Sequence, residues 1–100
     1  MKNAEYSTNR PPEYIDGAKV IKWAWSGQFP FGFVENIAHT EAEQIFGLAI
    51  CQYEKSKSIN RFSCDAEWET IQDAPYDTIN DSINYLPGQY KNQDIIWNDK

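Results

Sequence analysis

Two apolar runs, Phe46 to Tyr53 and Ile59 to Ala66, stand on either side of a five-residue polar loop, Glu54-Lys55-Ser56-Lys57-Ser58. Apolar runs joined by so short a loop predict a β-hairpin. A hairpin in the middle of a short chain commits much of the remainder to pairing with it. If the loop is symmetric about Ser56, paired positions sum to 112, so Ile50 opposes Phe62 and Leu48 opposes Cys64. Phe46, Leu48, Ile50, Phe62, Cys64 and Ala66 then share an apolar face, with Trp68 continuing it. Cys51, Tyr53, Ile59, Arg61, Ser63 and Asp65 take the other face. In this register Cys51 and Cys64 point to opposite sides and no disulfide joins them. A slip of one residue would bring both to one side.

The segment 40–53 has a competing pattern. Thr40 and Glu43 have capping-box spacing, and Ala42, Ile45, Phe46, Ala49, Ile50 and Tyr53 follow a helical period. Gly47 would cost the interior of such a helix about 1 kcal/mol. We therefore favour a short helix or turn at 40–45 followed by a strand from 46.

Upstream, Ala18 to Ser26 reads as a strand with Ile21, Trp23 and Trp25 on one face and Val20, Lys22 and Ala24 on the other. Ser26-Gly27-Gln28 is a turn signal, and 29–36 is expected to return as the second arm of a hairpin. Downstream, 69–77 reads as a strand end and loop. Thr78-Ile79-Asn80-Asp81 then caps a short helix with Ile79, Ile83 and Leu86 on its inner face, stopped by Pro87-Gly88. Ile95-Ile96-Trp97 is a last apolar segment, a short strand or a plug on the core. The expected fold is α+β: an antiparallel, hairpin-connected sheet of four to five strands, with the C-terminal helix packed on one face. Residues 1–16 form a polar tail around Pro11-Pro12, and 17–100 a single domain.

One hundred residues, with fifteen aromatics, suffice for one core without a structural metal or disulfide. The first residues lack the apolar segment of a signal peptide, and no run is long enough to span a bilayer, so a cytoplasmic protein is expected. A sequence pI near 4.6 argues against nucleic acid and anionic membranes as partners.

The charge is unevenly placed. Residues 65–90 carry six carboxylates, Asp65, Glu67, Glu69, Asp73, Asp77 and Asp81, and neither Lys nor Arg. The other 74 residues hold nine acids and nine bases, so the whole formal charge of −6 resides in this stretch. A solvated surface normally mixes signs. The stretch is therefore read as a binding surface for a basic protein, with Asp65, Glu67, Glu69 and Asp73 as its leading residues and the first three on one face of a strand. The expected role is a non-catalytic interaction module of the inhibitor or immunity type.

The second reading is a small-molecule site, or a homodimer contact, on an aromatic patch of Trp25, Phe29 and Phe31 near the 23–33 hairpin. Carboxylates facing each other across a cleft would be a third, enzymatic, reading. His39 is the sole histidine, which rules out a multi-histidine metal site from one chain. A Cys–His nucleophile pair would need His39 beside Cys51 or Cys64, and both lie in apolar strands where a thiol serves as a small hydrophobe. No phosphate loop, dinucleotide fingerprint or Gly-x-Ser-x-Gly occurs, so neither a cofactor nor a catalytic residue is assigned.

Overall fold

The computed structural model describes residues 9–34, 42–86, 90 and 95–100. Its strands are β1 (Tyr14–Ile15), β2 (Ala18–Trp25), β3 (Gly32–Val34), β4 (Glu43–Ile45), β5 (Gly47–Gln52), β6 (Ile59–Cys64), β7 (Thr70–Tyr76) and β8 (Asn98–Asp99). A helix, α1 (Ile79–Asn84), follows β7. The six-stranded antiparallel sheet has the order β1-β2-β5-β6-β7, with β8 also pairing to β2. A separate ribbon pairs β3 with β4. The α+β architecture and the C-terminal helix agree with the sequence reading, and the strands are more numerous than the four to five expected.

The central hairpin forms, but one residue out of the expected register. Gly47 opposes Cys64, Ala49 opposes Phe62 and Ile50 opposes Arg61. The turn sets this slip. Tyr53 N–H donates to Ser58 O at 3.0 Å, and Lys57 N–H donates to Tyr53 O at 2.8 Å. Lys57 adopts a left-handed φ of 65°. The ladder thus closes on Tyr53 and Ser58, which leaves four loop residues instead of five. Cys51 and Cys64 consequently share a face. Four residues of ladder still lie between their levels, roughly 13 Å along the strands, which keeps the thiols apart.

The slip exposes nothing, because β5 is buried on both sides: every residue from Gly47 to Cys51 is inaccessible. One face packs Ile15, Ala18, Val20, Trp23, Ala49, Cys51, Phe62, Cys64 and Trp68. The other packs Ala24, Phe31, Ile45, Leu48 and Tyr90, with Leu86, Ile95 and Trp97 against them. Arg61, expected on an open face, is 1 % exposed on this second face. β2 serves both cores through a bulge between Val20 and Lys22. The bulge shifts the alternation, so Val20 joins Trp23 instead of opposing it.

Four segments depart from expectation. Of the expected return strand 29–36, the described residues 29–34 do not run along β2, since β2 pairs with β5 and β3 with β4. Residues 43–45 are strand instead of helix or turn; Thr40 lies outside the described residues. Residues 70–76, read as a strand end and loop, form the seven-residue β7. Asn9 to Asp16, placed in the polar tail, takes part in the fold: β1 pairs with β2 across the Asp16-Gly17 turn, Ile15 is buried, and Asn9 Nδ2 donates to Ala66 O at 2.9 Å. The Thr78 cap is as expected, its Oγ1 accepting from Asp81 N–H at 3.0 Å. Ile95 and Trp97 act as a plug on the second core, and the strand begins only after them.

The two cysteines are free and buried. Burial, helped by the charge of neighbouring groups including Asp16, pushes each thiol up to about 12 from its ordinary 9.0. A folded value above the unfolded one stabilises the fold fully below pH 9, and the contribution is lost as pH rises through 9 towards 12. Each thiol should add a downward slope of about 1.4 kcal/mol per pH unit across that window. Urea unfolding of the wild type and of Cys51→Ala/Cys64→Ala should therefore converge as pH rises above 9. Parallel pH profiles for the two proteins would refute the expectation.

Candidate functional site

The six carboxylates are distributed along one border of the sheet. β7 is the last strand in the order, paired only to β6 among the described residues. Asp65, Glu67 and Glu69 lie in the turn that leads into it, Asp73 is at its middle, and Asp77 and Asp81 follow it into α1. Seven residues of strand span roughly 23 Å, which sets the length of this acidic edge.

The turn corrects the expected alternation of Asp65, Glu67 and Glu69 on a strand face. β6 ends at Cys64, and Asp65 Oδ1 accepts from the N–H groups of both Glu67 and Glu69 at 2.9 Å. Asp65 N–H donates to Glu69 O at 3.0 Å, and Trp68 has a left-handed φ of 63°. This geometry drives Trp68 down onto the sheet, where it is 6 % exposed, while Glu67 and Glu69 point outward. Asp65 thus has a structural role in the turn. Glu67, Glu69 and Asp73 are exposed and are the three leading acids free to meet a partner.

An open groove flanks each end of the edge. One, of about 550 Å³, is lined by Asp65 and Glu67 together with Glu43, Phe33 and Phe46. The other, of about 620 Å³, is lined by Asp77, Asp81, Tyr76 and Tyr85, with Lys57 at its rim. Phe33 is 54 % and Tyr85 67 % exposed, so both ends offer an aromatic ring beside carboxylates. Tyr85 lies within the acidic stretch itself, whereas Phe33 was not placed beside the acids from sequence, because β3 reaches them only through the topology.

The aromatic patch does not assemble. Trp25 stacks on Phe46 at 5.7 Å and leans on Trp68 at 5.8 Å, against the first core. Phe31 is buried in the second core, edge-on to Tyr90 at 6.4 Å. Phe29, at 74 % exposure, joins neither core. The expected common side required the β2 hairpin that does not form.

No group of three or more His, Cys, Asp or Glu is placed to hold a metal among the described residues, and His39 lies outside them. Among the described residues no helix is long and apolar enough to cross a membrane. Compared with protein-family models, curated proteins and solved structures, the chain matches none.

Proposed function

We propose that this protein is a non-catalytic interaction module, of the inhibitor or immunity type, that binds a basic protein through its acidic sheet edge. The observation that carries this reading is the alignment of Glu67, Glu69, Asp73 and Asp77, all exposed, along one border with no Lys or Arg between residues 62 and 90. A one-signed border steers an oppositely charged partner and speeds encounter. Aromatic rings at both ends supply the apolar anchors that charge alone lacks.

The test compares wild type with Glu67→Gln/Glu69→Gln/Asp73→Asn. Asp65 is left intact because its carboxylate holds the turn. The variant is expected to keep the wild-type melting temperature. Immobilised wild type should retain basic proteins from cell extract at low salt and release most of them at physiological ionic strength, where the screening length is about 8 Å. The variant should retain few. Equal retention by the variant, or retention indifferent to salt, would overturn the reading.

A further inference from the structure

The two borders of the sheet differ. On the β2 side, β1 and β8 both pair with the strand, Val20 N–H donates to Glu13 O, and Lys100 N–H donates to Ile21 O, both at 2.9 Å. That border is capped by segments from near both chain ends. On the other side, nothing pairs with the outer side of β7 among the described residues.

The direction of the β7 backbone groups follows from the ladder. Ser58 O accepts from Tyr53 N–H and Cys64 O from Phe46 N–H, so even-numbered β6 residues turn their polar groups towards β5. Ile59, Arg61 and Ser63 therefore face β7, opposite Tyr76, Ala74 and Gln72. Those three β7 residues bond inward, which leaves Asp73 and Pro75 with their backbone groups outward. Ile71 is the extra residue of a bulge opposite Ser63 and Cys64, outside this alternation. Pro75 has no N–H to offer, the usual position for proline on a border strand. Asp73 presents a donor and an acceptor, and Pro75 an acceptor.

We propose that the partner adds an extended, basic segment of its own chain to the outer side of β7, hydrogen-bonded at Asp73 and the Pro75 carbonyl, with its Lys or Arg side chains on Glu69, Asp73 and Asp77. This inference rests on the acidic-edge reading above and specifies how the edge is used. Charge selects the occupant. A second copy docking β7 against β7 would bring Glu69, Asp73 and Asp77 against their own equivalents, which is repulsive. A basic strand meets the same carboxylates favourably while main-chain bonds fix its register.

Amide hydrogen exchange on the full chain, read by NMR, tests this. The probe is a peptide of the same seven-residue length as β7, alternating lysine and threonine. A control peptide is N-methylated at every backbone nitrogen, keeping the charge without the donors. In the free protein the Asp73 amide should exchange quickly, and the Gln72, Ala74 and Tyr76 amides slowly. The first peptide should slow exchange at Asp73 by about tenfold or more, and the methylated one should not. Asp73→Pro removes one outward donor and Asp73→Asn keeps it. Asp73→Pro should therefore weaken the first peptide roughly fivefold beyond Asp73→Asn, the worth of one hydrogen bond. Salt-dependent binding of both peptides without protection at Asp73 would overturn strand addition and leave the acidic-edge reading standing. No binding of either peptide at low salt would overturn both. Protection of the Asp73 amide in the free protein, together with a concentration-dependent dimer, would give the edge to a second copy and overturn the proposal.

Discussion

Gly47→Ala is expected to lower the melting temperature by on the order of 15 °C, the equivalent of roughly 3 kcal/mol in a domain of this size. The cause is space and not backbone freedom, since Gly47 does not need a left-handed φ. A Cβ at this position would lie 2.5, 2.7 and 2.8 Å from three carbons of the Trp68 ring. Real contacts stop well short of that, so either the strand or the indole must move. Neither has room. Gly47 sits in β5 between Trp25 on β2 and Cys64 on β6. Trp68 is wedged edge-on to Trp23 at 6.3 Å and against Trp25 at 5.8 Å, and its backbone is tied into the turn that Asp65 caps. Overpacking a rigid core commonly costs 1–3 kcal/mol, and here the obstruction is an immobile ring, so we expect the upper end of about 3. The double variant Gly47→Ala/Trp68→Leu separates this cause from others. It should be no less stable than Trp68→Leu alone, because the obstruction is gone. A Gly47→Ala protein that melts within a few degrees of wild type would show that the indole does not rest on the strand.

Gly47 also shows what was legible in the chain. The residue weighed correctly against a helix at 40–53, and the strand from 47 followed. Its second meaning, a seat for an indole twenty-one residues on, required knowing that Trp68 folds back over the sheet, which no local pattern carries. The central hairpin was similarly readable as two apolar runs around a polar loop. Its register was not, because it depends on Lys57 accepting a left-handed φ, and lysine is not a residue that announces one. β7 was hidden by Pro75 and Asp73, the very residues that suit a border strand, since strand signals assume an apolar face and no residue of β7 is fully buried. The expected return along β2 failed, within the described residues 29–34, for a topological reason. A turn signal after β2 fixes that the chain bends, but not that β5 claims the neighbouring place. For the acidic surface, composition located the charge, and the alignment along a border appeared only once β7 was seen to be that border. Asp65 illustrates the remainder: its position in the acidic run suggested binding, whereas its two accepted hydrogen bonds give it to the turn.

Arg61→Ala should be the other severe substitution, at about 3 kcal/mol. Arg61 is a cation with 1 % exposure, opposite Ile50 on β5 and Ala74 on β7. Among the described residues no carboxylate pairs with it. Its Nη1 donates to the Tyr76 hydroxyl at 3.1 Å, and that hydroxyl donates to Tyr85 O at 2.8 Å, the carbonyl of the residue that caps the end of α1. The guanidinium also lies 5.7 Å from the centre of the Tyr90 ring, whose hydroxyl reaches Ser63 Oγ at 3.3 Å. Arg61 therefore links the sheet to α1 through Tyr76, and to Tyr90 through its ring face. Alanine would remove that link and leave a void under the helix at once. Arg61→Met tells the two losses apart. It retains most of the volume and removes a buried charge whose Nε has no partner, so it should recover most of the stability that alanine loses. Tyr76→Phe should cost about 2 kcal/mol, the worth of the two hydrogen bonds its hydroxyl makes, and in the Arg61→Met background about half that, because the bond from Arg61 is already gone. Urea unfolding of the four proteins measures this directly. If Arg61→Met proves as unstable as Arg61→Ala, the charge itself holds α1 to the sheet, and the packing account of this position is wrong.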